Sequence, residues 1–339
     1  MNSKERVRRT VLKQNPDRMA ANYSSTDYVK QKLMRHYGFD DFEKVLKKLE
    51  IDVRDIEPEY CGEMLGENQN VWGCITEKYW TGTEWYQHIK HGPLEDCETV
   101  EDLKKCRWPN ADDFDYDTIR RFCDKHPNHA ISIGWVGVWQ ICCDLRGTAN
   151  LYMDMAGEPE MAHYIFDRMC EFELEYYERM LIAGDGQVDI LRTCDDYGTQ
   201  LGLLFGVPMW KEYFEDNLKK LVSLAHRYNA FYMQHSCGAI RDIIPELVAC
   251  GIDILDPLQK LPGMEPRGLR EEFGSRICFQ GGIDTQDLLP HGTVQEVVEE
   301  TRAVAGELFH NGGYILKASQ GLQRDVPVEN IEAMYFACR

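Results

Sequence analysis

Basic residues are in short supply. Lysine and arginine number 38 against 57 aspartates and glutamates, a formal charge of −19 over 339 residues. That balance argues against a nucleic-acid or anionic-membrane partner, since both attract basic surfaces. The acidity is spread along the chain and reads as a solvated surface. No stretch approaches the roughly 18 apolar residues that a membrane span needs. The opening, MNSKERVRRTVLKQNPDRM, is charged where a secretory signal would be apolar. A disulfide framework is also missing: the thirteen cysteines are odd in number and irregularly spaced. Such usage points to reduced thiols and a cytoplasmic setting. Cys142 and Cys143 are adjacent, a spacing that rarely meets disulfide geometry. Repeats, low-complexity tracts and linker-like breaks are absent too, so residues 1–339 are expected to form one domain.

What is present is ample core material, 43% hydrophobic residues, arranged as short apolar runs alternating with helical patterns. Strands are expected at Met19–Tyr23, Val53–Ile56, Ala130–Val136, Val188–Cys194, Phe231–His235, Ile252–Asp256, Ile277–Gln280 and Tyr314–Ala318. Several are almost continuously apolar, as strands covered on both faces should be. Helices are expected between them, notably Pro159–Ala183, Pro208–Tyr228, Ile240–Cys250, Gly268–Phe273 and Val294–Phe309. Eight strands alternating with helices predict an α/β (β/α)8 TIM barrel. Residues 59–108, rich in Gly, Trp and Tyr (VWGCITEKYWTGTEWYQH), predict a β-hairpin insertion after the second strand.

A barrel works at the C-terminal ends of its strands. His235 and Cys237 close the fifth strand, Asp195-Asp196-Tyr197-Gly198 follows the fourth, and Gln280 ends the seventh. Asp256-Pro257 follows the sixth and Ser319-Gln320-Gly321 the eighth. Residues two apart on a strand share a face, so His235 and Cys237 can both point into the mouth. Imidazole and thiolate suit zinc, although two ligands do not make a site, and a buried histidine beside an inert thiol has the same spacing. By alternation, one of Asp195 and Asp196 faces inward. It serves either as an acid/base or substrate anchor, or as a helix cap. Trp72 and Trp135, beside glycines, are candidate pocket residues.

The chain resembles the uroporphyrinogen decarboxylase-like superfamily, and within it the zinc-dependent corrinoid methyltransferases. The segments carrying the resemblance are KERVRRTVLKQNPDRM, GPLEDCETVEDLKKCRWPNADDFDY, DDYGTQ, HSCGAIRDIIPELVACGIDILDPLQ, FQGGIDTQDLLPHGT and GGYILKASQGLQRDVPVENIEAMY, in that order. The resemblance implies a (β/α)8 barrel with zinc on His235, Cys237 and a third ligand after the eighth strand. Relatives have a cysteine at that third position; this chain has Gln320. Cys278, Gln280, Asp195 and Asp196 are alternative sources of that ligand. The activity implied is methyl transfer between a small methylated substrate and the cobalt of a corrinoid (cobalamin) carried by a separate protein. Asp195 or Asp196 would orient or protonate the leaving group. Trp72, Trp135, Tyr197 and Gln280 would hold the substrate. DDYG and QGGID lean toward demethylation of methoxylated compounds, and a homodimer is the assembly the resemblance suggests. True decarboxylases of the superfamily carry an N-terminal pair of arginines for the porphyrinogen carboxylates, and the stretch after NPDRMAANYSSTDYV lacks them. The rivals are a metal-independent decarboxylase and a non-catalytic ligand-binding relative.

Overall fold

The computed structural model describes residues 1–80 and 85–339. Its strands are β1 (Ala20–Ala21), β2 (Val53–Ile56), β3 (Glu59–Tyr60), β4 (Ile75–Trp80), β5 (Trp85–His91), β6 (Phe114–Asp115), β7 (Ala130–Ile133), β8 (Val188–Cys194), β9 (Phe231–His235), β10 (Ile254–Leu258), β11 (Cys278–Ile283) and β12 (Tyr314–Ala318). Eight of them form one parallel sheet in the order β1-β12-β11-β10-β9-β8-β7-β2. Helices lie between successive strands, which makes the sheet a (β/α)8 TIM barrel.

The ring closes without a ladder between β1 and β2. In its place Asp52 donates its N–H to Ala21 O at 2.9 Å, and its carboxylate accepts the Ala21 N–H at 3.0 Å. The same carboxylate, fully buried, takes Arg6 at 2.7 Å and Arg18 at 2.8 Å. One side chain thus staples the base of the seam and neutralises itself against two guanidinium groups. The helix Ser3–Val11 plugs the N-terminal end. Its Val7 and Val11 pack on the inward residues Ala20, Val53, Ala130, Ile190, Met233, Ile254, Cys278 and Ile315.

Local chemistry sets the helix ends. Thr293 and Glu296 make a reciprocal capping box at the start of Val294–Leu308. Pro159, Pro208 and Pro245 fall in first turns, where a missing N–H costs least. Pro245 also explains a difference from the sequence reading. The helix expected over Ile240–Cys250 divides into a 3-10 turn, Arg241–Ile243, and an α-helix, Ile244–Cys250.

Four strand boundaries also differ. Only Ala20–Ala21 of the first segment joins the sheet. The third strand stops at Ile133 because Gly134 turns the chain with φ +89° against Arg192 O. β10 runs on to Leu258, and β11 runs through Gly281 and Gly282 to Ile283. In the inserted region β4 and β5 pair antiparallel; the turn expected between them, residues 81–84, lies outside the described residues. The base of this region reaches further than 108, because Glu59–Tyr60 pairs with Phe114–Asp115.

Candidate active site

One inward step up each strand from the apolar plug layer lies a layer of a different character. It comprises Asn22, Asp55, Ser132, Arg192, His235, Asp256, Gln280 and Lys317, each two positions beyond a plug residue. At its centre is Asp256, fully buried, which accepts His235 Nδ1 at 2.5 Å and Gln280 Nε2 at 2.7 Å. It also accepts Lys317 Nζ at 3.0 and 3.3 Å. Burial pushes this carboxyl up, but the charge of Lys317 and the hydrogen bonds from His235 and Gln280 outweigh it and hold the group well below the usual carboxylate range. The permanently ionised acceptor fixes the hydrogen of His235 on Nδ1. The lone pair of Nε2 is then directed toward the mouth.

Nε2 lies 3.3 Å from Cys237 Sγ. Asp196 Oδ1 accepts the Cys237 N–H at 2.8 Å and sits 3.8 Å from His235 Nε2. The ligand atoms of Cys194, Asp196 and His235 all lie within 4.8 Å of one another. The Gln320 amide touches Cys237 Sγ at 2.7 Å. Burial, with Asp196 alongside, pushes the Cys237 thiol well up. A carboxylate, a thiol and an imidazole lone pair packed this closely form a donor set suited to a divalent cation, which would compensate the thiolate's charge. The residues therefore fit zinc.

The backbone that holds this cluster is tight. Gly238 has φ +96°, and a Cβ on it would come within 2.7 Å of the Gly198 Cα and carbonyl oxygen. The loop after β8 and the loop after β9 thus touch glycine to glycine, which brings Asp196 to Cys237.

Of the remaining sequence candidates, Trp135 joins the site, Gln280 lies beneath it and the others sit elsewhere. Asp195 faces away from the mouth; it accepts the Gln140 N–H at 3.2 Å at the start of helix Val138–Arg146, and the Tyr197 hydroxyl at 3.0 Å. Burial pushes it up to about 6. Tyr197 is buried against Phe205, Trp210 and Phe214. Gln280 is fully buried and spends its amide on Asp256 and Asn22, so it supports the site from beneath. Cys278 belongs to the plug layer, too low to serve as a ligand. Trp72 packs on Phe114 and Phe172 in the inserted region, which the glycine beside it did not foretell. Trp135 does stand at the site. Its ring is 5.0 Å from that of His235, Arg192 stacks on it at 4.7 Å, and it is 47% exposed. Sequence reasoning missed Cys194, Arg192 and Lys317. The available signal was a charge inside an apolar strand, in DILRTC and YILKA.

A cavity of about 520 Å³ opens beside the seam, lined by Tyr23, Ser25, Asp55, Trp135 and Arg192 and continuing outward to Phe42 and Phe122. Of the other titratable groupings, Glu43 with His126 and His129 has its carboxylate occupied by Arg54 at 2.8 and 3.0 Å, a cation already supplied. No helix among the described residues is long and apolar enough to cross a membrane.

The barrel and the comparisons with known proteins define the class of the chain at the level of its family. Residues 86–339 match the family described as uroporphyrinogen decarboxylase (URO-D), and the chain belongs to that family. A methylated-thiol–coenzyme M methyltransferase of Methanosarcina mazei is 24% identical over 195 residues, covering 58% of this chain and 49% of that protein. A uroporphyrinogen decarboxylase of Trichodesmium erythraeum is 25% identical over 232 residues, covering 64% and 59%. The matched region thus spans about half to three-fifths of the length of these relatives. Among solved structures, a methyltransferase from Methanosarcina mazei superposes with a TM-score of 0.72 at 17% identity, over 99% of this chain and 98% of that one, and shows the shared barrel.

Proposed function

We propose that the protein is a zinc-dependent methyltransferase. It exchanges a methyl group between a small methylated substrate, a methoxylated compound in the first instance, and the cobalt of a separate corrinoid protein. The observation that carries this reading is the pairing of His235 Nε2 with Cys237 Sγ at 3.3 Å while Asp256 locks Nδ1. The similarity to a methyltransferase within the family supports it.

His235 and Cys237 would hold the ion, with Asp196 and Cys194 nearest to complete the set and the Gln320 amide beside the thiol. Zinc, when bound, supplies Lewis acidity to the heteroatom that carries the methyl group. The chain's own residues do the rest. Asp256 keeps the imidazole in the ligating tautomer, and Lys317 keeps Asp256 ionised. Asp196, the carboxylate of the pair that faces the imidazole, would orient the leaving heteroatom or hand it a proton when Cys194 rather than Asp196 completes the ligand set. Asp195 anchors the loop to helix Val138–Arg146. Trp135 forms an apolar wall beside the histidine.

The second reading, decarboxylation, is favoured by the relatives that bear that name. The two separate by metal analysis together with methyl transfer from a panel of methoxyaromatic compounds to reduced corrinoid protein. Near-stoichiometric zinc and turnover abolished in His235→Ala support the transferase. Metal-free protein that releases carbon dioxide from a carboxylated substrate, indifferent to chelator, would establish the lyase.

A further inference from the structure

Arg192 is an unusual tenant for the interior of a barrel strand. Its side chain is 12% exposed, and it sits on β8 one inward position below Cys194. Burial of a guanidinium is costly unless its donors are matched. Its recorded partners match few of them. Nε donates to Gly134 O at 3.1 Å, and Nη1 meets Asp55 in a single long contact of 3.6 Å. Among the described residues no carboxylate grips the group bidentately. Of the other acids whose charge reaches the guanidinium, Asp256 has both oxygens committed to His235, Gln280 and Lys317, and Glu57 accepts the Tyr176 hydroxyl at 3.0 Å and makes no hydrogen bond to Arg192. In the same layer Ser132 Oγ is buried without a partner among the described residues. Meanwhile Arg192 and Trp135 line the 520 Å³ cavity, and their stacking at 4.7 Å holds the guanidinium plane on the indole.

We infer that Arg192 is the anchor for a carboxylate, so that the small methylated substrate is an anion. This rests on the methyl-transfer reading for the identity of the methylated end only. The guanidinium fork fits a carboxylate bidentately, and its charge is retained in a low-dielectric setting where such a pair is strong. The Asp55 side chain, 36% exposed and held by one long contact, is the group a ligand carboxylate replaces. Trp135 touches both Arg192 and His235. The anion anchor and the imidazole are therefore separated by no more than the sum of 4.7 and 5.0 Å. A small molecule with a carboxylate at one end and a methoxy or methylthio group at the other has that reach.

The test is calorimetric titration of the full chain with two probes of like size, 4-methoxybenzoate and neutral 4-methoxybenzyl alcohol, without corrinoid protein. The benzoate should bind at least about tenfold tighter than the alcohol, as hydrogen bonds to a charged group allow. Arg192→Met should abolish that preference by weakening the benzoate far more than the alcohol, and Arg192→Lys should keep part of it. Equal binding of the two probes by the wild-type protein overturns the inference, and so does a uniform loss for both in Arg192→Met. If that variant fails to fold, the wild-type comparison alone decides. Selective binding with no methyl transfer keeps the anchor and removes the transferase. Transfer from both probes without selective binding does the reverse.

Discussion

Replacing Asp256 by Asn would test whether a buried counter-ion tunes the candidate ligand. The substitution keeps volume and removes one charge. The native carboxylate accepts three donors: His235 Nδ1 at 2.5 Å, Gln280 Nε2 at 2.7 Å and Lys317 Nζ at 3.0 Å. An amide offers one oxygen and one NH2 group, so in either orientation a donor faces a donor. If the NH2 group faces Nδ1, the ring proton moves to Nε2 and the ligating lone pair is lost. If it faces Lys317, a buried ammonium stands unpaired. Breaking one partner of a buried pair costs about 3–5 kcal/mol of stability. Loss of the orienting partner lowers zinc affinity about 10- to 100-fold, which is about 1.4–2.8 kcal/mol. Urea denaturation of the metal-free protein reads the first quantity, and competition with a chromophoric chelator at pH 7 reads the second. The double variant Asp256→Asn/Lys317→Met separates them: it should recover most of the stability and none of the affinity. Unchanged zinc affinity in Asp256→Asn would refute the proposed role of the Asp256–His235 pair.

Two further outcomes follow from particular side chains. Asp195 is held at about 6, above the ordinary carboxyl near about 4, so the folded chain keeps a proton that the unfolded chain releases. Its contribution therefore makes stability fall as pH rises from about 4 to about 6, by up to about 3 kcal/mol. Asp195→Asn should flatten that part of the stability profile relative to wild type, and a parallel profile in thermal melts would contradict it. Gly238→Ala adds a Cβ within 2.7 Å of Gly198 at φ +96°. It should cost about 3 kcal/mol or more and weaken zinc binding, whereas Gly268→Ala, with open space around it, should do neither.

The fold was legible because buried parallel strands announce themselves as apolar runs, and β2, β8, β9 and β12 fall at the expected residues. Their ends were less legible. A strand stops where the backbone turns, as at Gly134, and an apolar run does not record this. His235 with Cys237 was readable because both sit at a strand's end with one residue between. The support beneath them was not. Lys317 and Arg192 interrupt apolar strands, but strands covered on both faces give no phase to say which residues point inward. Height within the barrel is likewise silent in sequence: Cys278 and Gln280 differ by one inward step, yet one belongs to the apolar plug and the other to the charged layer. Trp72 and Trp135 show the same limit, since a glycine neighbour marks a turn and does not say what the ring packs against.

The Asp52 staple has a mechanical corollary. It ties the first and second strands at their foot only, and among the described residues no ladder joins β1 to β2 above it. Tyr23, Ser25 and Asp55 flank that unlaced upper edge and also line the cavity. Spreading the barrel there breaks no sheet hydrogen bond, whereas spreading it between any other neighbouring pair of strands does. The rim is therefore stiff all round save at one gusset, and the girth of whatever enters is set at that point.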